Sequence, residues 1–72
     1  MYYDPKKAGA LIREMRIRRG MSQEVLSGLS GIARSHLAMI ETGRKSAGVD
    51  TLWRITSALG LRLSKFIEML EE

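Results

Sequence analysis

The sequence predicts an all-α fold of five short helices in a single domain over residues 1–72. Apolar residues recur three and four positions apart through most of the 72-residue chain, the period of a helix that buries one face. No stretch alternates apolar and polar residues over several positions, as a half-buried strand would. Six of the seven glycines fall at or near breaks in the helical period, which divides the chain into short pieces.

The first helix is expected from about Lys6 to Arg19, with Ala8, Leu11, Ile12 and Met15 forming its buried stripe. The single proline, Pro5, is read as lying outside it. Arg16, Arg18 and Arg19 suit the negative end of the helix dipole, and Gly20 suits the position just past it. Ser22 has the chemistry of an N-cap, with Glu24 in the first turn of a second helix from about Gln23 to Leu29. Val25, Leu26 and Leu29 are its expected buried residues, and Gly28 weakens it by roughly 1 kcal/mol relative to alanine. Only Ser30-Gly31-Ile32 precedes a third helix, from about Ala33 to Thr42, whose Leu37 and Ile40 turn inward and which Gly43 ends. After a polar loop, Arg44-Lys45-Ser46-Ala47-Gly48, the fourth helix runs from about Val49 to Leu59 and buries Leu52, Ile55 and Leu59. Trp53 is expected in the core or half-buried between helices, off the centre of that stripe. Gly60 ends the helix, and Ser64 is read as the cap of a last one bearing Phe66, Ile67 and Leu70.

Composition removes several classes of function. There are no cysteines, so disulfides and thiolate metal sites are excluded, and one histidine supplies no zinc ligand set. With no paired carboxylates in a cleft, nothing assembles a reaction site; no enzyme, metal or cofactor is expected. No run approaches the roughly 20 apolar residues that span a membrane. The N-terminal Met-Tyr-Tyr-Asp-Pro-Lys-Lys lacks the apolar stretch of a secretory signal, so a cytoplasmic location is expected. The net charge is +4 and uneven. Residues 1–45 hold nine lysines and arginines against Asp4, Glu14, Glu24 and Glu41, whereas residues 46–72 hold three against four acids. This points to a polyanion-facing surface and a second surface for another purpose, although basic residues can also simply solvate a small helical domain.

The segment Met21 to Gly43, MSQEVLSGLSGIARSHLAMIETG, carries the functional signal. Two short amphipathic helices joined by a tight, glycine-containing turn make a helix-turn-helix. Gly31 can take the left-handed backbone such a turn needs, and Ile32 can plug the junction. Once Leu37 and Ile40 turn inward, the third helix is left with Arg34, Ser35, His36, Ala38 and Met39 on its outer face, without an acid among them. That suits a face that reads a groove: arginine can bond O6 and N7 of guanine, serine and histidine can donate or accept, and alanine and methionine can touch a thymine methyl. Plainer readings are that His36 bonds a backbone carbonyl and Met39 packs at the core edge.

These residues resemble the Cro/repressor-type helix-turn-helix family, the lambda-repressor-like or xenobiotic-response-element fold. The likeness runs from about Ala8 to Leu70 and rests on LIREMRIRRGMSQEVL, GIARSHLAMIETGRK and DTLWRITSALGLRLSKF. Within these, Ser22 to Glu24, Ile40 to Gly43 and Ala58 to Gly60 keep the family's spacing without a gap. The resemblance implies that Ala33, Arg34, Ser35, His36 and Met39 face base edges. It assigns backbone contacts to Ser22, Gln23, Thr42, Arg44 and Lys45, with Gln23 also bracing the recognition helix. Arg16 and Glu41 match positions that form a partly buried ion pair between the first and third helices. Three departures stand out: Ala33 in place of a capping serine or threonine, Ser46-Ala47-Gly48 in place of Asn-Pro-Ser, which implies a more flexible loop, and Ser27 in place of alanine.

The implied function is a sequence-specific, double-stranded DNA-binding transcriptional regulator at the nucleoid, a homodimer on an inverted repeat with residues 33–42 in the major groove. Phe66, Ile67, Met69 and Leu70 occupy more of the last helix than one core-facing stripe can hide, so they are read as the dimer surface. The rival is a protein-interaction module of the same fold, an antitoxin or a transcriptional bridging factor, acting through a toxin or RNA polymerase. Phage repressor, restriction–modification controller and antitoxin remain open as biological roles.

Overall fold

A computed structural model describes residues 2–72. In it, Asp4 starts the first helix by accepting hydrogen bonds from the backbone N–H groups of Lys6 and Lys7 at 3.0 and 3.4 Å. Helix α1 (Pro5–Arg18) therefore begins with the proline inside it. The expectation that Pro5 lies outside is corrected: the first helical position needs no N–H, and a fixed φ near −65° is already helical there. Helix α2 (Gln23–Ser30) has Ser22 as its N-cap, accepting from Val25 N–H at 3.0 Å, as the sequence suggested. Helices α3 (Arg34–Glu41), α4 (Val49–Ala58) and α5 (Leu63–Leu70) complete five helices, with no strand among the described residues. Ser64 is not the cap of α5; that helix starts one residue earlier, at Leu63, with Arg62 as its cap residue.

The core is one cluster drawn from every helix. Ile12, Leu26, Leu37, Ile55 and Phe66 are wholly buried, joined by Ala8, Met15, Ile32, Ile40, Ala47, Leu52 and Leu59. Each large side chain removed from water contributes roughly 1.5–3 kcal/mol. Leu11 only packs against the rim of this cluster. Helix α3 lies against α1 on one side and α2 on the other, α4 packs on α2, and α5 closes over α4 and α1. The α1–α3 approach is close because residue 9 is glycine. A methyl group there would collide with the Ile40 carbonyl oxygen and lie 2.9 Å from that of Glu41.

Four apolar residues sit elsewhere than expected. Val25 and Leu29 on α2 are 48% and 62% exposed, because the helix is short and only Leu26 and Ser30 face inward. Trp53 is 61% exposed, since Leu52 and Ile55 take the inward arc of α4. Phe66 lies at the centre of the core, so it cannot belong to a dimer surface. The loop before α4 is fastened by Ala47, which is buried.

Candidate nucleic-acid interface

The turn between α2 and α3 is what sets the recognition helix at its angle. Gly31 ends α2 with φ 71°, a left-handed conformation that costs glycine little. The chain then drops Ile32 into the core and restarts as α3. With Leu37 and Ile40 inside, α3 turns the other way Ala33, Arg34, Ser35 and Met39, all exposed, and His36, partly covered. All five candidate base-reading residues are thus at least partly exposed at the start and on the uncovered side of α3. Met39 is 37% exposed, at the edge of the core and reachable from outside.

Thr42, Arg44 and Lys45 continue this surface beyond the helix, and all three are exposed. The backbone N–H groups of Arg44 and Lys45 donate to the Met39 carbonyl at 2.9 and 3.2 Å, which fixes the turn that carries the two cations. Ser22 is exposed at the start of α2 beside Gln23. The ion pairs among the described residues engage Arg16, Arg18, Arg54 and Lys65. Arg34, Arg44 and Lys45 take part in none of them, so their charge is not neutralised within the fold.

Glu41 is the sole acid between residues 31 and 48, and it is removed from this surface. It is 5% exposed and faces Arg16, whose Nε and Nη2 donate to its two carboxylate oxygens at 2.7 and 3.0 Å. The hydrogen bond to Glu41 raises the Arg16 pKa above its ordinary value. Arg16 Nη1 also donates to the Met21 carbonyl at 2.8 Å, tying the end of α1 to the approach to α2. Gln23 Nε2 donates to Glu41 Oε1 at 3.1 Å, so the bracing implied for Gln23 runs through the buried carboxylate.

The sequence marks Ser27 only as a departure from alanine and Ser30 only as part of the turn, and gives neither a bonding role. Ser27 Oγ donates to the Ile32 carbonyl at 2.6 Å, and Ser30 Oγ donates to the Leu26 carbonyl at 2.7 Å. The one available signal was serine at positions where a helix facing the core would be expected to carry a small apolar side chain. No group of histidines, cysteines or carboxylates able to hold a metal ion occurs among the described residues. None of their helices is long and apolar enough to cross a membrane.

Residues 12–66 match the helix-turn-helix family. The chain is similar to the uncharacterized HTH-type transcriptional regulator y4dJ of Sinorhizobium fredii, 32% identical over 56 residues that cover 78% of this chain and 73% of the relative. Several other curated relatives are longer, and the matched segment spans about a third of their length. Among solved structures, the restriction–modification controller protein C.AhdI from Aeromonas hydrophila superposes with a TM-score of 0.84 at 32% identity, covering 90% of this chain and 98% of that one. The controller protein C.Esp1396I, as a tetramer in complex with its natural 35 base-pair operator, superposes with a TM-score of 0.88 at 27% identity, covering 99% and 93%.

Proposed function

The chain belongs to the helix-turn-helix family, and we propose that it is a sequence-specific regulator of transcription that reads duplex DNA with α3 in the major groove. The observation that carries this reading is electrostatic. From residue 31 to 48 the one carboxylate is buried against Arg16, while Arg34, Arg44 and Lys45 stand unpaired on the outer surface. A surface of that sign attracts phosphates and releases their counterions. Its shape matches the geometry in which the second helix of the motif lies in the groove and residues beyond it hold the backbone. The operator complex of C.Esp1396I and the regulator y4dJ support the same function for this chain.

In this reading Arg34, Ser35 and His36 read base edges, with Ala33 and Met39 making apolar contacts to thymine. Ser22, Gln23, Thr42, Arg44 and Lys45 hold phosphates and fix register. The protein acts as a homodimer on an inverted repeat, because one module of this size contacts too few bases. Pairing sets the two recognition helices about 34 Å apart, one turn of the duplex. The pairing surface is the α4–α5 face, where Trp53 and Ile67 are exposed and Leu61 and Leu63 line the same groove. Leu70 lies beside Ile67 in a neighbouring cleft with Tyr2 and Tyr3, and both Met69 and Leu70 are partly buried against the core. Such a protein works at the nucleoid in the cytoplasm and needs neither catalysis nor a cofactor.

The test is enrichment of a preferred duplex from a random pool, followed by affinity measured from about 50 to 200 mM salt. Affinity should fall about a hundredfold over that range, as expected when roughly four phosphates are neutralised by two copies of Arg44 and Lys45. A flat response, or no enriched sequence, would favour the protein-interaction module instead.

A further inference from the structure

Helix α3 begins without the device that starts α1 and α2. Asp4 and Ser22 bond the first free N–H groups of their helices, whereas Ala33 offers α3 no side-chain acceptor. The chain is instead held at Ile32, two residues before α3 begins. The Ile32 carbonyl lies outside the helix, and no backbone N–H among the described residues donates to it. It accepts instead from the Ser27 hydroxyl at 2.6 Å. The Ile32 N–H donates to Ser30 Oγ at 3.4 Å, while the Ser30 hydroxyl donates to the Leu26 carbonyl. The Ile32 side chain is buried, 7% exposed. Both polar backbone groups of Ile32 are therefore held by hydroxyls of α2, and its side chain by the core.

We propose that Ser27, assisted by Ser30, is a positioning residue for DNA recognition, a hydroxyl clamp on Ile32 that fixes the orientation in which the chain enters α3. This rests on the reading of α3 as the recognition helix. Ser27 touches no base. Its action is to make the α2–α3 angle single-valued, and that angle decides whether Arg34, Ser35 and His36 reach base edges together. Directed base contacts tolerate only about 0.5 Å and 10–20° of misplacement. Long, flexible lysine and arginine contacts to phosphates tolerate more. Loss of the clamp should therefore lower discrimination more than it lowers general affinity.

The experiment uses the full chain and two probes: the duplex that the wild-type protein enriches from a random pool, and a mixed random-sequence duplex of equal length. Binding is measured at a temperature where circular dichroism shows each variant fully helical. Ser27→Ala should bind the enriched duplex about tenfold more weakly, the order of one lost hydrogen bond, and the random duplex within about twofold of wild type. Ser27→Thr, which keeps the hydroxyl, should restore most of the ratio. An unchanged ratio in Ser27→Ala, with or without a lower melting temperature, overturns the clamp alone, provided the wild type discriminates. A wild-type protein that enriches no sequence overturns the recognition reading and the clamp together.

Discussion

Arg16 and Glu41, 25 positions apart in the chain, meet in a two-pronged pairing that binds α1 to the recognition helix. The same carboxylate also accepts from Gln23, so three helices converge on one buried acid. Removing Arg16 would leave that charge buried with too little compensation, a loss on the order of 3 kcal/mol. Arg18 pairs with Glu14 at 3.8 Å on an exposed helix face, where removal costs less than about 0.5 kcal/mol. Urea denaturation of Arg16→Ala and Arg18→Ala should therefore give clearly different midpoints. Equal midpoints would mean that the pairing contributes nothing.

Two glycines inside helices should respond to alanine with opposite signs. At Gly9 the added methyl meets the carbonyls of Ile40 and Glu41, and backbone cannot give way cheaply, so Gly9→Ala should cost about 1–3 kcal/mol. At Gly28 nothing lies within 4 Å, and alanine's better helix propensity should add roughly 1 kcal/mol. Thermal melts of both variants decide the matter. A destabilised Gly28→Ala would show that the outer face of α2 is more crowded than its geometry indicates.

The melting temperature of the wild-type protein should rise with concentration, as mass action requires of a dimer. Ile67→Glu should place an uncompensated charge on the pairing surface and give a folded monomer that binds its operator weakly. Phe66→Ala should act differently, costing about 3–5 kcal/mol of core packing whatever the oligomeric state. Light scattering alongside denaturation separates the two. A dimeric Ile67→Glu would move the interface away from α5.

The residues that decided the fold were legible because their signals are local and repeated. Ile12 and Met15, Leu37 and Ile40, and Leu52 and Ile55 keep helical spacing, and Ser22 and Gly31 have cap and turn chemistry that few other roles require. Asp4 and Pro5 could also have been read, since aspartate followed by proline is a helix start. Burial was harder. Val25, Leu29 and Trp53 are apolar at plausible spacing, yet α2 and α4 are too short to bury more than a narrow arc. Phe66 and Ile67 are neighbours on one helix, and which of them enters the core depends on the helix's rotation against α1 and α4, fixed only in three dimensions. The recognition surface followed from the inward positions of α3. The Ser27–Ile32 bond did not, because a hydroxyl reaching a carbonyl across a turn leaves no periodic trace.

The central claim is that α3 reads sequence through Arg34 while the residues after it hold the backbone, and one comparison tests it most directly. Affinity for the enriched duplex and for a random duplex is measured for wild type, Arg34→Ala and Lys45→Ala at one fixed salt concentration. Arg34→Ala should lose about 1–3 kcal/mol on the enriched duplex, relax preference at one base pair per half-site and change little on random DNA. Lys45→Ala should weaken both duplexes alike. If Arg34→Ala instead weakened enriched and random duplexes equally, Arg34 would be a phosphate contact, and the assignment of α3 as the reading element through that residue would be contradicted.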